Sequence, residues 1–410
     1  MGIKRILKTV LPDDIIVKMK KVWNWQNNWK MLDKSKKTQR FQKGKYPAGI
    51  NLIGDIKAET GLGQSMRIIA AMIEHSGIPF VIKQVNAPGG LEHNDCTWAG
   101  KIGDGLLYGI NLIHINPNTW AERYNSFRKE ELDYRYNIAY WLWELEEFPD
   151  EWVPCIATVD EIWTPSEFIS RSIRQKTDKT VRTIPYAITI EHTPHLGRDY
   201  FHLPEDKFFC LIMYDFKSMS ERKNPEAAVR AFIQAFKPTE GVGLIIKINH
   251  LKNRKELEKL KSKVESYPDV YYITDNLSRQ EVESLIAVSD VMISLHRSEG
   301  FGLPLAEAMY LGTPVVATNW SANTEFMGRG NACLVDYQLV KLPKAIGPYK
   351  KGSIWAAADE EQAAGYMRKL YYDSAYYASI KENGRRRIEE QLPIGAASKL
   401  LKEAVEEIYL

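Results

Sequence analysis

The sequence has few cysteines and no long apolar run, and both absences restrict what the chain can be. Its cysteines, Cys96, Cys155, Cys210 and Cys333, lie far apart and form no metal-binding spacing. They therefore indicate reduced thiols rather than a disulfide framework or a zinc site. No apolar stretch approaches the roughly 18 residues of a membrane-spanning helix. Residues 1–12 alternate basic and apolar positions too quickly for a signal-peptide core, so we expect a cytoplasmic protein.

The sequence also has no short-period repeat, no low-complexity tract and no nucleic-acid-binding motif. These absences argue against solenoids, disordered linkers and nucleic-acid partners. What is present is ordinary globular composition, with 410 residues of which 44% are hydrophobic and 26% charged. That length predicts two domains of usual size, each able to bury a core.

Positive charge is concentrated in the first 45 residues, which hold thirteen lysines and arginines against three aspartates. Since the whole chain has a net charge of only +3, the remainder is acidic. Trp23, Trp25 and Trp29 lie among these lysines, a combination that suits an anionic membrane surface. The alternative is an ordinary helix that packs on its own domain, and both interpretations stay open. Residues 1–45 are predicted to be a basic N-terminal arm, and peripheral contact with the inner face of the membrane is one of its two open interpretations.

From residue 46 onward, short apolar runs alternate with helical patterns. Because the strands have little polar interruption, they predict parallel sheets covered by helices on both faces. Two such series in one chain predict an α/β protein of two doubly wound domains, with ligands bound in the cleft between them. Strands are predicted at 50–53, 80–83, 112–115, 138–143, 161–164, 181–185, 208–213, 243–248, 270–273, 291–295 and 314–317. Helices are predicted at 61–77, 150–158, 166–176, 225–236, 254–266, 279–288 and 304–310.

The most informative stretch is SEGFGLPLAE at residues 298–307. It follows a predicted buried strand and opens a helix with Pro304 in its first turn, where proline is tolerated. The glycines let an anion approach the backbone, and the amides of Gly302 and Leu303 would point at it from the helix N-terminus. A diphosphate fits such a site. Glu299 and Glu307 would repel phosphate, so we expect them to accept hydrogen bonds from sugar and ribose hydroxyls.

The stretch from Glu299 to Glu307 resembles the Glu-x7-Glu motif of retaining GT-B glycosyltransferases. The resemblance is closest to bacterial family 4, the glycosyl transferases group 1, and it extends over residues 290–296 and 312–317. It implies a GT-B fold, in which two Rossmann-like domains face each other across a cleft. By position it implies that Glu299 contacts the transferred sugar and that Glu307 holds the ribose. Gly300, Phe301, Gly302 and Leu303 would then bind the donor between these two glutamates.

A departing diphosphate needs cations, and the segment DFKSMSERKNP at residues 215–225 resembles the basic loop that family members place on the donor phosphates. Arg222 and Lys223 are the strongest candidates. Lys217 stands near the position where many relatives have an arginine, so the exact pair stays open. Lys247 ends a predicted strand and is a further candidate for donor binding. No Asp-x-Asp pair follows a strand, so we expect no metal or other cofactor.

In the first domain, Gly61 and Gly63 resemble the family's glycine loop, which meets the donor phosphates. Asn116 stands where many relatives have a histidine that contacts the sugar. Glu144 ends the run YWLWE at residues 140–144. This run resembles the one found in a subset of bacterial family 4 transferases of cell-surface polysaccharide assembly. Asn116 and Glu144 are therefore predicted to contact the acceptor or the sugar. His114, inside an apolar run, is interpreted as a core histidine.

The resemblance implies transfer of a hexose from a nucleotide-diphosphate sugar to a glycan or lipid-linked acceptor, with retention of configuration. Retention by same-face attack and by double displacement through Glu299 both stay open. The alternatives are another GT-B enzyme, such as a nucleotide-sugar epimerase or a phosphorylase, and a non-catalytic subunit that binds a nucleotide-sugar. The predicted domains are an acceptor domain at 46–190, a donor domain at 205–375 and C-terminal helices at 376–410 that return to the first domain.

Overall fold

The computed structural model describes residues 13–86, 93–190, 196–251 and 254–410. Its first sheet contains six strands in the order β2-β1-β3-β4-β5-β6, all parallel. The strands are β1 (Ile50–Gly54), β2 (Phe80–Gln84), β3 (Ile110–His114), β4 (Tyr136–Tyr140), β5 (Glu161–Thr164) and β6 (Val181–Thr183). The helices of this half are α1 (Asp13–Lys37), α2 (Gly61–Ser76), α3 (Pro117–Ser126), α4 (Lys129–Leu132), α5 (Val153–Ile156) and α6 (Glu167–Arg174).

The second sheet is also six-stranded and parallel, in the order β12-β11-β10-β7-β8-β9. Its strands are β7 (Phe208–Asp215), β8 (Val242–Asn249), β9 (Val270–Ile273), β10 (Val291–Ser294), β11 (Val315–Thr318) and β12 (Cys333–Val335). The helices are α7 (Ser220–Lys223), α8 (Pro225–Ala235), α9 (Arg254–Lys263), α10 (Arg279–Val288), α11 (Leu303–Tyr310), α12 (Glu360–Tyr372), α13 (Ser374–Gln391) and α14 (Ile394–Tyr409). An antiparallel hairpin, β13 (Tyr337–Lys341) and β14 (Ile354–Ala358), lies outside both six-stranded sheets.

This architecture confirms the predicted fold class of two doubly wound α/β domains. Each sheet is buried because helices cover both of its faces, so strands such as β1 are inaccessible along their whole length. The strand order reverses beside β1 in the first sheet and beside β7 in the second. Ligand sites of such sheets lie at the carboxyl ends of the strands near these points.

Some predicted elements differ from the structure. The helix predicted at 150–158 is a 3-10 turn, Asp150–Trp152, followed by the short α5. Pro154 explains the break, because a proline lacks the amide that a continuous helix would use and is tolerated only in a first turn. The strand predicted at 138–143 ends at Tyr140, because the Leu142 amide leaves the sheet and donates to the Asn116 side chain. Helices α3 and α4, strand β12 and the hairpin have no counterpart among the predictions.

The N-terminal helix α1 packs against α3 of the first domain. The Lys34 ammonium lies at the C-terminal end of α3 and donates to the carbonyls of Tyr124, Asn125 and Phe127. Such a lysine satisfies carbonyls that the helix itself leaves open. At least this part of the predicted arm is therefore docked on the domain. Residues 1–12, and the side chains of Ile15, Ile16, Met19 and Val22, lie outside the described part of the chain.

The two last helices pack on different domains. Helix α13 packs on α11 of the second domain, whereas α14 crosses to α2 of the first domain. The predicted linker at 188–205 lies partly outside the described residues, which resume at 196. Across the described ranges, no helix has the length and apolar character needed to cross a membrane.

Candidate functional site

The loop between β10 and α11, residues 298–303, forms the centre of the candidate site and is called the donor loop below. Gly302 adopts φ +89° and directly precedes α11, so it occupies a left-handed conformation that favours glycine. Pro304 follows in the first helical turn, where its missing amide costs nothing. The loop therefore exposes the start of α11 to the cleft without a side chain at Gly302.

At position 300, glycine is needed for a different structural reason. A Cβ atom built there would lie 2.6 Å from the carbonyl oxygen of Trp143, which belongs to the first domain. The Gly300 carbonyl also accepts a hydrogen bond of 2.7 Å from Ser166 of the first domain. Gly300 thus allows the two domains to touch at the donor loop, a role distinct from the predicted donor contact. Phe301 packs its ring against Tyr186 of the first domain and Phe326 of the second.

Glu299 is buried, with only 7% of its surface exposed, and it is surrounded by cations. One carboxylate oxygen lies 2.5 Å from the Lys223 ammonium, and the other lies 3.1 Å from the Arg222 guanidinium. Burial by itself would raise the pKa of Glu299, but Lys223 and Arg222 outweigh it and lower the pKa to about 2. The carboxylate is consequently ionised at every physiological pH.

Arg222 and Lys223 lie on α7, a short helix that ends the basic loop (residues 215–224). Arg222 is almost fully buried and donates to the carbonyls of Ser298 and Ser218 as well as facing Glu299. It therefore fastens the basic loop to the donor loop. Lys223 is more accessible, and burial lowers its pKa although Glu299 raises it. Of these two cations, Lys223 has the better access to a ligand in the cleft.

Beside these charges, a pocket runs between the carboxyl ends of β7 and β10 and the start of α11. Its lining brings Lys223 and Glu299 together with Ser294, Gly302 and Pro304. The pocket combines a cation, a carboxylate and a helix N-terminus, which are the groups that a sugar diphosphate can use.

Glu307 lies inside α11 and is 3% exposed. Its carboxylate is 2.5 Å from the guanidinium of Arg279, at the start of α10, and Arg279 also contacts Glu283 at 2.7 Å. Burial raises the pKa of Glu307, while Arg279 acts in the opposite direction. Arg279 was not among the predicted site residues. A serine-capped helix start was readable at Ser278, but no sequence signal indicated that Arg279 would meet Glu307.

Lys247 and Lys217, the two other lysines predicted to bind the donor, contact groups of the second domain. Lys247 is fully buried on β8 and donates to the Asn249 side chain and the Asp275 carbonyl, at 2.5 and 2.8 Å. Burial lowers its pKa to about 8. Lys217 lies in a 3-10 turn whose backbone amide donates to Asp215. Their contact with the donor stays a prediction.

In the first domain, Gly63 is required sterically. Its Cβ would lie 1.9 Å from the Ala58 carbonyl oxygen, whereas Gly61 has open space around it. Both residues start α2, where the Thr60 hydroxyl caps the Gly63 amide. Arg67 donates to the carbonyls of Ile56 and Ala58, so it holds this glycine loop in place.

Asn116 and Glu144 follow neighbouring strands of the first sheet. Asn116 accepts from the Leu142 amide at 3.0 Å and so fixes the chain after β4. Glu144 reaches the second domain, where its carboxylate lies 3.8 Å from Arg222. It also accepts a hydrogen bond from the Tyr349 hydroxyl at 3.1 Å. The structure thus brings Glu144 next to Arg222, Lys223 and Glu299, while a role in acceptor binding stays a prediction.

His114 is a core histidine, as the sequence predicted. It is buried on β3 and its ring contacts the Ser65 hydroxyl at 2.6 Å, which in turn contacts the Tyr186 hydroxyl. Burial lowers the pKa of His114 to about 4, so the ring is neutral at physiological pH. In the described part of the chain, no group of three or more His, Cys, Asp or Glu side chains is arranged to hold a metal ion.

Two facing Rossmann-like domains, with a basic loop and a helix start at their cleft, define the GT-B class of glycosyltransferase folds. The model of the family Glycosyl transferases group 1 matches residues 211–387, which run from β7 into α13 of the second domain. The fold and this match together support a group 1 glycosyltransferase.

Solved structures confirm the fold. HepE of Anabaena, in complex with UDP and glucose, aligns with a TM-score of 0.63 at 13% identity, covering 88% of this chain and 100% of that chain. The sucrose-phosphate synthase of Thermosynechococcus elongatus aligns with a TM-score of 0.65 at 15% identity, covering 88% and 99%. At such identities the likeness concerns the fold alone.

A curated relative, the MMP alpha-(1->4)-mannosyltransferase of Mycolicibacterium hassiacum, is 28% identical over 122 residues. The match covers 30% of this chain and 25% of the relative's length. This chain therefore aligns with only a quarter of the curated relative, and it is similar to that enzyme in one segment.

Proposed function

We propose that this protein is a retaining glycosyltransferase that moves a hexose from a nucleotide-diphosphate sugar to a glycan or lipid-linked acceptor. The observation that carries the proposal is the arrangement around the donor loop. The Glu299–Lys223 ion pair lies before the start of α11, and the Glu307–Arg279 ion pair lies inside that helix. A nucleotide-sugar carries its sugar, its diphosphate and its ribose in that order. Glu299, the start of α11 and Glu307 follow the same order along the cleft.

In this proposal the diphosphate lies against the amides of Gly302 and Leu303 and against Lys223. Charge that develops on the departing phosphate is stabilised by groups already in place, which is usually the largest catalytic contribution. Arg222 holds the basic loop and the donor loop together, because its two terminal nitrogens contact Ser298, Ser218 and Glu299. Glu299 accepts from sugar hydroxyls, and Glu307 accepts from the ribose.

The surroundings of Glu299 favour same-face attack over double displacement. Both carboxylate oxygens face cations, and the low pKa of about 2 makes the group a weak nucleophile. Its negative charge is instead suited to stabilising an oxocarbenium ion on the transferred sugar. Retention then follows if the acceptor attacks from the face that the diphosphate leaves.

We further propose that the reaction uses no metal or other cofactor, because Lys223 and the helix start supply the positive charge that the diphosphate needs. Turnover by the purified protein should be unchanged after treatment with EDTA. A loss that Mg²⁺ or Mn²⁺ restores would contradict this part of the proposal.

The exposed face of α1 supports peripheral contact with a membrane that carries the acceptor. Trp25 and Trp29 are 68% and 61% exposed, and Lys30, Lys36 and Lys37 are exposed on the same helix. Aromatic rings beside lysines suit an anionic lipid surface. Co-sedimentation with phosphatidylglycerol vesicles should be lost in a Trp25→Ser, Trp29→Ser variant, and equal binding of both proteins would contradict the contact. The pathway, assembly of a cell-surface polysaccharide, is proposed from the sequence resemblance.

The first experiment is a thermal-shift screen against UDP, GDP, ADP, dTDP and CMP with their sugars. UDP-sugars come first because solved neighbours were determined with UDP, UDP and glucose or UDP-glucose. A ligand that binds only the folded state raises the midpoint of unfolding. We expect one nucleotide to stabilise the protein, and Lys223→Ala and Glu307→Ala to abolish that shift.

Product analysis then tests the chemistry. A product whose glycosidic bond keeps the anomeric configuration of the donor supports a retaining transferase. A product with the inverted configuration contradicts it. An isomerised donor formed without acceptor indicates an epimerase. Nucleotide binding without any turnover indicates a non-catalytic subunit, and absence of stabilisation by every nucleotide-sugar would overturn the donor site itself.

A further inference from the structure

The hairpin β13–β14 contacts the segments of the second domain that carry the candidate site. The Ala356 amide donates to the carbonyl of Arg297, just before the donor loop, and the Arg297 guanidinium lies over the Trp355 ring. Gly347 in its connecting loop packs on Met219 of the basic loop. The hairpin is therefore anchored to both loops that carry the charged groups.

Tyr349, in the loop of this hairpin, reaches the first domain. Its hydroxyl donates to one carboxylate oxygen of Glu144 at 3.1 Å. Its ring, 3% exposed, lies between those of Trp143 and Trp355, with centroids 5.5 and 6.2 Å away. Burial and the neighbouring carboxylate raise the pKa of Tyr349, so the hydroxyl stays protonated and can only donate to Glu144.

Glu144 is fixed at both its backbone and its side chain. Its carbonyl accepts from the Ser298 hydroxyl of the donor loop, and its second carboxylate oxygen lies 3.8 Å from Arg222. Its side chain is 26% exposed, whereas the side chains of Arg222 and Glu299 are only 4% and 9% exposed. Glu144 is thus a first-domain carboxylate at the cleft with lone pairs left for a ligand hydroxyl.

Arg222 and Tyr349 compete for the same carboxylate. Without the tyrosine hydroxyl, Glu144 can rotate onto Arg222 and form a closer ion pair, since 3.8 Å leaves room for a shorter contact. That rotation would remove the carboxylate from the cleft, while the Ser298 and Ser218 carbonyls hold Arg222 in place.

We propose that Tyr349 is a positioning residue, which holds the Glu144 carboxylate in the cleft so that it accepts a hydrogen bond from the acceptor hydroxyl. The proposal rests on the transferase function above and deepens it, because it makes a hairpin of the donor domain part of acceptor recognition. The donor is bound by other groups, so its binding does not depend on Tyr349.

The test compares Tyr349→Phe with Tyr337→Phe, the same chemical change on the same hairpin at a residue whose ring packs on Trp320. The phenylalanine ring keeps the packing of Tyr349, so both variants should fold, which thermal unfolding checks. The donor is the nucleotide-sugar that stabilises the wild type, and the acceptor probes are p-nitrophenyl hexosides. Transfer and donor hydrolysis are measured together.

For Tyr349→Phe we expect kcat/KM for the acceptor to fall about tenfold, the size of one hydrogen bond to a charged group. The donor KM should stay unchanged and the ratio of hydrolysis to transfer should rise. Tyr337→Phe should match the wild type. Tyr349→Phe should have no further effect on acceptor kcat/KM when added to Glu144→Ala, because its action passes through that carboxylate.

Three results would overturn the inference. The first is equal behaviour of Tyr349→Phe and Tyr337→Phe in an active enzyme. The second is a full tenfold effect of Tyr349→Phe on the Glu144→Ala background. The third is a rise in the donor KM with the acceptor KM unchanged. A wild type that binds no nucleotide-sugar, or transfers no sugar, would instead overturn the proposed function and this inference with it.

Discussion

At the scale of single residues, the site is built from buried charges that neutralise one another. Glu299 faces Lys223 and Arg222, and Glu307 faces Arg279. Burying an unpaired charge is costly, so each carboxylate that the sequence marked for a ligand needs a cation in the folded protein. The pairs keep the carboxylates in fixed positions before any substrate binds.

Arg279→Gln should destabilise the protein by about 2–3 kcal/mol, because it leaves the buried Glu307 without its cation. Protonation of Glu307 relieves part of the cost, since burial already raises its pKa. Urea unfolding measures the change, and nucleotide-induced stabilisation should weaken in parallel. Arg385→Gln is the matched control, because its pair with Glu389 is exposed on α13 and worth less than about 1 kcal/mol. Equal effects of both variants would contradict the structural role of Arg279.

Lys247 should make stability depend on pH in the alkaline range. Burial lowers its pKa from 10.5 to about 8 in the folded protein. Between these values the unfolded chain binds a proton that the folded protein does not, so the free energy of unfolding rises with pH. The rise should approach roughly 3 kcal/mol across this window.

Lys247→Met removes the titrating group while keeping an unbranched side chain. The difference in free energy of unfolding between wild type and variant, followed by urea unfolding from pH 7.5 to 10, isolates the contribution of this lysine from other alkaline groups. A difference that stays constant over this range would show that Lys247 has an ordinary pKa.

At the scale of elements, both domains present the start of a helix at the cleft, and glycine is needed there for steric reasons that differ between positions. Gly302 needs its positive φ, and Gly300 needs room for the Trp143 carbonyl. In the first domain, only Gly63 of the Gly-Leu-Gly run is sterically required. A motif therefore contains positions of unequal importance, which the spacing of glycines does not reveal.

Gly63→Ala should cost about 1–3 kcal/mol, because the new Cβ would overlap the Ala58 carbonyl and push the glycine loop off α2. Gly61→Ala, two residues earlier, should be neutral or stabilising by up to about 1 kcal/mol, since open space surrounds it and alanine restricts the unfolded chain. Thermal unfolding of the two variants measures both changes in stability. Similar destabilisation by both would contradict the structural assignment.

At the scale of the whole molecule, side chains of each domain satisfy backbone groups of the other. Ser166 donates to the Gly300 carbonyl, and the Glu325 carboxylate accepts from the amides of Glu167 and Phe168 at the start of α6. A carboxylate is favourable at a helix N-terminus, so this contact couples the second domain to a first-domain helix. The domains also meet through the contacts of Glu144 and Phe301 described above and through the crossing of α14.

Glu325→Ala should destabilise the protein by about 1 kcal/mol and loosen the contact between the domains. In solution scattering without ligand, the radius of gyration should increase relative to the wild type. Glu382→Gln, an exposed change on α13, should alter neither quantity. An unchanged radius in Glu325→Ala would show that other contacts alone set the domain arrangement.

The sequence by itself determined the two parallel sheets, the approximate positions of most strands and the donor loop, because these depend on local periodicity and on glycine and proline at helix starts. It also identified His114 as a core residue from its apolar neighbours. The hairpin escaped prediction because its strands pair only with each other and β13 has no buried apolar run.

Only the tertiary structure brought Arg279 to Glu307, Tyr349 to Glu144 and Glu144 to Arg222. These partners are 28, 205 and 78 residues apart along the chain. Contacts of this kind depend on how whole strands and domains are stacked, so local spacing carries no signal for them. Arg222 and Lys223 are adjacent in sequence, yet one is enclosed by backbone carbonyls and the other borders the pocket. That difference is set by packing around α7, which the order of residues does not specify.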